Sequence, residues 1–194
     1  MENAVDEAGK PEFSAIPTFY AGTQFKSRME AQCAVLFDKL GWGWEYEKFS
    51  LMLPDGTPFI PDFWIESQWL LVECRGYSSE RGDRQLLSFS RMLGLAKGGA
   101  GRCLELELPN KNGEFYDFAV ISDPPSQFGR DRAFSGNLFF VQCECGNWSL
   151  LDVRYCQNCW PEDGIPRYKS VFSLTVKNGI LLVNGKPLVE VNLG

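Results

Sequence analysis

Asp62, Glu73 and Arg75 are the residues whose types and spacing are best suited to chemistry in this chain. Carboxylate oxygens are hard ligands, and they suit Mg²⁺ or Mn²⁺ better than soft metals. Two carboxylates that face each other on neighbouring strands repel, and a divalent cation between them removes that repulsion. The three residues therefore predict a Mg²⁺ or Mn²⁺ site, provided that the fold brings them onto one face of a sheet.

A tight β-hairpin is the element expected to position them. Apart from Asp62, positions 59–65 are apolar, as are positions 69–72, and the polar residues 66–68 between these runs predict the turn. A turn centred on residue 67 puts either residue 72 or residue 73 opposite Asp62. Because side chains alternate between the two faces of a strand, the second register places Asp62, Glu73 and Arg75 together.

These residues also resemble a known signature. Pro61-Asp62, followed on the next strand by Glu73-Cys74-Arg75-Gly76, is similar to the motif of the PD-(D/E)XK nucleases. Upstream, the segments SRME and WEYE resemble the helix and strand that open small phage and bacterial members of that family. The resemblance covers roughly residues 19–120.

The resemblance implies an α/β fold of the restriction-endonuclease type, in which a mixed sheet is flanked by helices. It also implies a metal-dependent nuclease with Glu30, Asp62, Glu73 and Arg75 as catalytic residues. Asp62 and Glu73 would bind Mg²⁺ (or Mn²⁺), helped by the backbone carbonyl of Cys74. Arg75 stands where the family has a lysine, and arginine can steer and neutralise charge but cannot act as a base.

Glu30 has two candidate roles. Apolar residues from 25 to 40 predict an amphipathic helix that ends at Gly41. Ser27 and Glu30 have the spacing of a capping box, in which the glutamate bonds back to the cap amide. The resemblance instead implies a glutamate at the metal site, and a glutamate in the first helical turn could lie near both.

Four cysteines in the last third of the chain form two close pairs, Cys143 with Cys145 and Cys156 with Cys159. Two such pairs can complete a tetrahedral four-sulfur site, and Gly146 lets the first turn curl tightly. A structural Zn²⁺ in a zinc ribbon is the favoured interpretation; an iron–sulfur cluster and four unrelated buried cysteines are the alternatives. The remaining cysteines, Cys33, Cys74 and Cys103, are interpreted as small core residues.

The net charge of −6 argues at first against a nucleic-acid partner. Residues 75–102, however, carry six basic and two acidic side chains, a local charge of +4, so that the rest of the chain carries −10. Such a strip beside an acidic pocket suits contact with phosphates, and DNA is favoured over RNA as the partner. A solvated helix face is the alternative interpretation. The nucleic-acid-binding residues predicted in addition to Arg75 are Arg81, Arg84, Arg91, Lys97 and Arg102.

The composition excludes several other functions. With no histidine, the chain has no Ser-His-Asp or Cys-His nucleophile and no imidazole base. Neither the phosphate-binding nor the dinucleotide-binding glycine fingerprint is present. No apolar run is long enough to cross a membrane and no signal peptide opens the chain, so a cytoplasmic protein with no membrane partner is expected.

The order of predicted elements divides the chain into three parts. Residues 1–17 are predicted to be a flexible N-terminal arm, 18–124 the nuclease-like domain, and 125–194 a zinc-ribbon and β-meander module. Within the second part we expect a helix, a strand over 44–53, the hairpin, a helix over 85–95 and strands over 102–108 and 115–121. The segment from 122 to 136 is predicted to be a loop. Asn-Gly pairs at 178–179 and 184–185 predict two hairpin turns near the C-terminus.

Three functions remain open at this point. The first is a metal-dependent nuclease, and the second is a nuclease fold with degraded chemistry that still binds nucleic acid or a protein partner. The third is a structural or inhibitory protein that uses its acidic surface. Binding of Mg²⁺ or Mn²⁺ that disappears in Asp62→Ala separates the first from the second, and salt-dependent DNA affinity separates the second from the third.

Overall fold

The computed structural model describes residues 15–75, 80–92, 117–122, 133–135, 138–150 and 168–191. The fold in these ranges is mixed α/β, as predicted. The helices are α1 (Arg28–Lys39) and α2 (Glu80–Met92), with short 3-10 helices at Glu66–Gln68 and Leu188–Glu190. The strands are β1 (Thr18–Tyr20), β2 (Thr23–Phe25), β3 (Glu45–Tyr46), β4 (Leu51–Met52), β5 (Pro58–Phe59), β6 (Phe63–Ile65), β7 (Leu70–Arg75), β8 (Asp117–Ser122), β9 (Ala133–Ser135), β10 (Leu138–Cys143), β11 (Trp148–Leu150), β12 (Tyr168–Lys177), β13 (Ile180–Val183) and β14 (Lys186–Pro187).

A five-stranded mixed sheet carries the acidic residues. Its strand order is β3-β6-β7-β8-β9. The first three strands pair antiparallel, whereas β7, β8 and β9 run parallel to one another. The parallel pair β7 and β8 requires a long crossover, and α2 lies in that connection. A mixed sheet with a helix in the crossover was expected, and this much is confirmed.

The C-terminal part forms a second five-stranded sheet, which is antiparallel throughout and has the order β11-β10-β12-β13-β14. Both predicted Asn-Gly turns are confirmed as hairpin turns between its last three strands. Asn178 and Asn184 have φ of 54° and 49°, and the glycine after each is also left-handed. Asparagine and glycine tolerate this conformation, and its twist matches that of the paired strands.

The two faces of the mixed sheet are buried by different partners. On one face, Phe63, Val72 and Cys74 belong to a cluster that also holds residues of α1 and of the second sheet. Residues on both sides of the boundary predicted at position 124 thus share one core. On the other face, Leu71 and Phe118 pack with Leu86 and Phe89 of α2. Each large apolar side chain buried in this way stabilises the fold by about 1.5–3 kcal/mol.

Two strands are shorter than predicted. The strand expected over 44–53 is two separate strands, β3 and β4, because Glu47 between them adopts a left-handed backbone with φ of 49°. The run 59–65 is also broken. Phe59 pairs with Leu51 in the β4–β5 ribbon, whereas β6 begins only at Phe63. Pro61 lacks an N–H and cannot donate to a ladder, which explains the interruption.

Other boundaries also differ from the prediction. Helix α1 begins at Arg28, because Ser27 caps it, and Phe25 instead ends β2 in an unpredicted hairpin with β1. Helix α2 begins five residues earlier than expected, because its first turns are charged rather than apolar. The predicted loop 122–136 contains β9, which pairs with β8. The predicted strand 102–108, residues 1–14 of the predicted arm, and the end of the second helix beyond Met92 lie outside the described residues.

Candidate active site

The register of the β6–β7 hairpin brings Asp62 and Glu73 face to face. Phe63 pairs with Val72 and Trp64 pairs with Leu71. Continued by one residue, this register sets Glu73 opposite Asp62, one of the two arrangements left open by the sequence. By the same alternation, Glu73 lies on the sheet face that Leu71 and Trp64 share with α2.

Asp62 is held from both sides by backbone groups. Its Oδ2 accepts a hydrogen bond of 2.7 Å from the amide of Cys74, and its carbonyl oxygen accepts one of 2.9 Å from the amide of Glu47. The residue is 9% exposed, and Glu73 is 8% exposed. Two carboxylates are therefore fixed side by side where little water reaches them.

Burial dominates the ionisation of both acids. It raises the pKa of Asp62 well above its ordinary value, and the neighbouring Glu73 charge raises it further, whereas the Cys74 amide lowers it. The pKa of Glu73 rises to about 7, again chiefly through burial, although the Arg75 guanidinium opposes the shift. Ionisation of both carboxylates at neutral pH costs free energy, and a cation bound between them would lower that cost.

Arg75 engages only one oxygen of Glu73. Its Nη2 lies 3.1 Å from Glu73 Oε1, and its Nε donates to the same oxygen at 3.2 Å. Glu73 Oε2 is buried and has no hydrogen-bond partner in the part of the chain that the structure describes. An unsatisfied buried carboxylate oxygen is costly, and it is the kind of atom that a bound cation would satisfy.

The donor set fits Mg²⁺ or Mn²⁺ in one specific way. Mg²⁺ is usually held by one or two carboxylates and completes its octahedron with water and substrate phosphates. Asp62 and Glu73 supply two such carboxylates. Within the described ranges, no group of three or more cysteine, aspartate or glutamate side chains is arranged around a common metal position.

Glu30 acts as a helix-capping residue in the structure. Ser27 Oγ accepts a hydrogen bond of 3.2 Å from the Glu30 amide and donates one of 2.7 Å to Glu30 Oε1. Glu30 Oε2 accepts from the Lys26 amide at 3.0 Å and from the Tyr46 hydroxyl. The capping interaction is thus present, but the amide that Glu30 binds belongs to Lys26 rather than to the cap residue. Glu30 is still close enough to raise the pKa of Asp62 and Glu73.

Aromatic packing fixes the strands beneath these polar groups. The rings of Phe25 and Tyr46 meet edge-on at 4.7 Å, and Phe63 contacts Phe25, Phe37, Trp44 and Tyr46. Each such ring pair adds about 0.5–1.5 kcal/mol beyond the burial of its area. Lys26, Glu47 and Asp62 each adjoin one of these rings in sequence, so their backbone positions are set by this cluster.

Lys26 and Glu47 lie near Asp62, and the Tyr46 hydroxyl donates to Glu30, although the sequence assigned none of the three a role. Lys26 Nζ forms an ion pair with Glu47 Oε1. The segment WEYE was noted only as a likeness, and nothing in it indicated that Glu47 would adjoin Asp62. The signal that could have found Lys26 is its place directly before the helix cap Ser27, at the start of the helix that carries Glu30.

The predicted basic strip is described only in part. Arg81 and Arg84 are exposed on α2, which covers the sheet face that carries Glu73. Arg91 lies in α2, but its side chain is outside the described atoms, as are Lys97 and Arg102 altogether. The expectation that these five residues form one nucleic-acid-binding surface stays a prediction.

Four of the seven cysteines lie within the described residues. Cys143 is buried at the end of β10 and Cys145 is exposed in the following turn, where Gly146 adopts φ of 95°. The tight turn expected at this glycine is confirmed, closed by hydrogen bonds between Cys143 and the residues 146 and 147. Cys156, Cys159 and Cys103 lie outside the described residues. Cys33 and Cys74 are core residues, as predicted, with their Sγ atoms 3.1 Å apart.

Comparison of the chain with protein-family models, curated proteins and solved structures finds no match. Function must therefore be argued from the site itself. Of the helices that the structure describes, neither is long and apolar enough to span a membrane.

The acidic pair predicts how stability changes with pH in metal-free protein. The pKa of Glu73 rises from an ordinary 4.5 to about 7 on folding. Its contribution to stability is therefore fully present below about 4.5 and is lost as the pH rises through about 7, a fall of about 3 kcal/mol in the free energy of unfolding. Urea unfolding across this pH range measures it. Glu73→Gln should make the profile less steep, although Asp62 still contributes to it. A wild-type profile no steeper than that of Glu73→Gln would contradict the assigned shift.

Proposed function

We propose that this chain is a divalent-metal-dependent nuclease of the PD-(D/E)XK type, which hydrolyses phosphodiester bonds of nucleic acid, with DNA as the first candidate. One observation carries the proposal: Asp62 and Glu73 are buried together, the charge of Glu73 raises the pKa of Asp62, and Glu73 Oε2 has no hydrogen-bond partner in the described structure. A purely structural acid pair would normally be neutralised by protein groups on every buried oxygen.

The architecture supports the same proposal. An antiparallel hairpin carries the two acids, a parallel strand follows after a helical crossover, and helices cover both faces of the sheet. This arrangement agrees with a restriction-endonuclease-like fold. Because one fold can host many functions, the carboxylate pair rather than the architecture remains the argument for nuclease activity.

In the proposed mechanism, the carboxylates of Asp62 and Glu73 would hold Mg²⁺ or Mn²⁺, with Glu73 Oε2 as the unpaired oxygen. When bound, the metal would lower the pKa of a water molecule and stabilise the charge that builds on the phosphate oxygens. The Cys74 amide keeps the Asp62 carboxylate oriented, and the Arg75 guanidinium fixes Oε1 of Glu73 so that Oε2 is free of it. Arg75 cannot act as the base, because a guanidinium does not lose its proton in proteins, so a proton released at the site would pass to solvent or to a phosphate oxygen.

A second function is favoured by the same ion pair. Arg75 is only 16% exposed and already neutralises one charge of the acidic pair. Because the Arg75 guanidinium already offsets part of the negative charge, a metal ion would stabilise the acidic pair less. This suits a nuclease fold that binds nucleic acid or a protein partner without cutting. Direct titration with Mn²⁺ distinguishes the two functions: the nuclease requires one saturable site near neutral pH, with release of protons as the raised carboxyl groups ionise.

The C-terminal sheet is proposed to carry a zinc ribbon, with Cys143, Cys145, Cys156 and Cys159 as ligands. The tight turn at Gly146 supports the first half of that site. Thiolate ligands persist in a reducing compartment such as the cytoplasm, which is where we place the protein.

Purified, reduced protein is expected to contain about one Zn²⁺ per chain, held by four thiolates at about 2.3 Å. Cys156→Ser should lose the metal and unfold the region after residue 138 first, because structural zinc contributes folding energy locally. Elemental analysis checks the content, and Cys103→Ser is the matched control that should keep it. Native protein that contains neither zinc nor iron would contradict the proposal.

A further inference from the structure

A hydrogen-bonded group of side chains borders the acidic pair without belonging to the proposed metal ligands. It consists of Lys26, Glu30, Tyr46 and Glu47, here named the lysine network. Glu30 Oε2 accepts from the Lys26 amide and the Tyr46 hydroxyl, and Lys26 Nζ pairs with Glu47 Oε1. Three separate elements, the end of β2, the start of α1 and the end of β3, thus meet at one place.

Strand pairing puts this network next to Asp62. Tyr46 pairs with Phe63 across β3 and β6, so the next residues along, Glu47 and Asp62, are neighbours. The Glu47 amide donates to the Asp62 carbonyl oxygen at 2.9 Å. Glu47 holds this position with a left-handed backbone, which costs a residue with a side chain on the order of 1 kcal/mol or more and is concentrated at functional sites.

The two basic side chains near the acidic pair, Arg75 and Lys26, differ in their exposure to solvent. The Arg75 side chain is 16% exposed and is engaged with Glu73, whereas the Lys26 side chain is 66% exposed. Lys26 is close enough to the acids that its pKa is raised, first by the hydrogen bond to Glu47 and then by the charges of Glu47, Asp62 and Glu30. It therefore stays protonated at neutral pH, which suits a charge contact rather than a base.

We propose that Lys26 contacts the phosphate of the bound nucleic acid beside Asp62, and that Glu47 holds the lysine in place until the substrate arrives. The inference rests on the proposed function for the identity of the ligand. In the free protein, the amine pairs with a carboxylate that is itself partly exposed. A phosphodiester oxygen offers the amine a charged acceptor of the same kind, and a flexible lysine can move between the two. Lys26 thereby adds a phosphate contact separate from the half-buried Arg75, which is engaged with Glu73.

The test measures binding without requiring cleavage. Fluorescence anisotropy of labelled single-stranded and duplex DNA, with Ca²⁺ in place of Mg²⁺, gives the affinity of each variant over a range of salt concentrations. Lys26→Ala is expected to bind about tenfold more weakly and to lower the slope of log affinity against log salt by about one, because one phosphate contact is lost. Lys26→Arg should restore both values.

The chain contains a matched control. Lys48 Nζ lies 2.5 Å from Glu45 Oε1, a surface ion pair of the same type a few residues away, and nothing places it at the acids. Lys48→Ala should therefore bind like the wild type. Glu47→Gln should bind a few times more tightly, because it removes a carboxylate that competes for Lys26 and repels the phosphate.

The outcomes separate this inference from the proposed function. If the wild type binds but never cuts under Mg²⁺ or Mn²⁺, and Lys26→Ala weakens binding, the phosphate contact stands while the nuclease proposal fails. If the wild type cuts and Lys26→Ala binds like Lys48→Ala, the inference is wrong and the nuclease proposal stands. A wild type that binds no DNA overturns the inference as well.

Discussion

Asp62→Asn is expected to abolish metal-dependent cleavage, with a loss on the order of a thousandfold or more, while leaving the fold intact. Mg²⁺ held by carboxylates supplies several kcal/mol of transition-state stabilisation, and each 1.36 kcal/mol corresponds to about tenfold in rate. The asparagine oxygen can still accept the hydrogen bond from the Cys74 amide, so the β6–β7 hairpin should keep its register. What is lost is one of the two charges proposed to bind the metal.

The same substitution should make the metal-free protein more stable at neutral pH. Burial and the Glu73 charge both raise the pKa of Asp62, which means that its ionised form opposes folding. A neutral amide of the same shape removes that cost. Loss of activity together with a higher free energy of unfolding is a signature that a misfolded variant would not give, and a gain of this kind is typical where a functional site is built at the expense of stability.

Gel assays of DNA cleavage with Mg²⁺ and with Mn²⁺, together with chemical unfolding, measure the two effects. Asp55→Asn is the matched control. Asp55 lies in the exposed turn between β4 and β5, where its Oδ1 accepts from the Thr57 amide, and asparagine can do the same. It should leave cleavage and stability unchanged. An Asp62→Asn variant that retains wild-type cleavage would remove the acidic pair from the mechanism.

The site was predictable to the extent that it depends on one hairpin. A turn of three polar residues between two apolar runs restricts the register to two choices, and alternation then determines which side chains share a face. The Asn-Gly turns after β12 and β13 were predictable for the same reason: the local sequence alone selects the backbone conformation. In both cases, the information lies within a few residues of the feature.

The lysine network could not be predicted because it depends on pairing between distant segments. Glu47 adjoins Asp62 only because β3 pairs with β6, and neither strand shows the alternation of a long amphipathic strand. Lys26, which follows β2, meets Glu47 through a side-chain ion pair between segments 21 residues apart. The three residues of β9 are likewise too few to show a period. The first residue of α2 was predicted too late for a different reason. Arg81 and Arg84 lie in its exposed early turns, so the apolar spacing typical of a helix begins only at Leu86.

Variants of Arg75 distinguish an active nuclease from a binding module, and they are expected to have the second largest effect on cleavage. Arg75→Ala is expected to lower cleavage by on the order of a hundredfold or more, the usual cost of removing a group that stabilises transition-state charge. The structure adds a pH signature. Because the guanidinium lowers the pKa of Glu73, its removal should raise that pKa and move the pH at which activity appears upward.

Arg75→Lys should keep or raise activity. A lysine amine can still pair with Glu73 Oε1, and unlike a guanidinium it can lose its proton when buried beside a metal and so accept the proton of the attacking water. Cleavage rates of the wild type and both variants, measured across a pH range with Mg²⁺ and Mn²⁺, decide the matter. If the chain is a binding module, the wild type shows no cleavage and Arg75→Ala weakens only nucleic-acid binding. A wild type that cuts well together with an Arg75→Ala variant that cuts equally well would contradict both functions, because the guanidinium that occupies Glu73 Oε1 would then have no part in the chemistry or in holding the substrate.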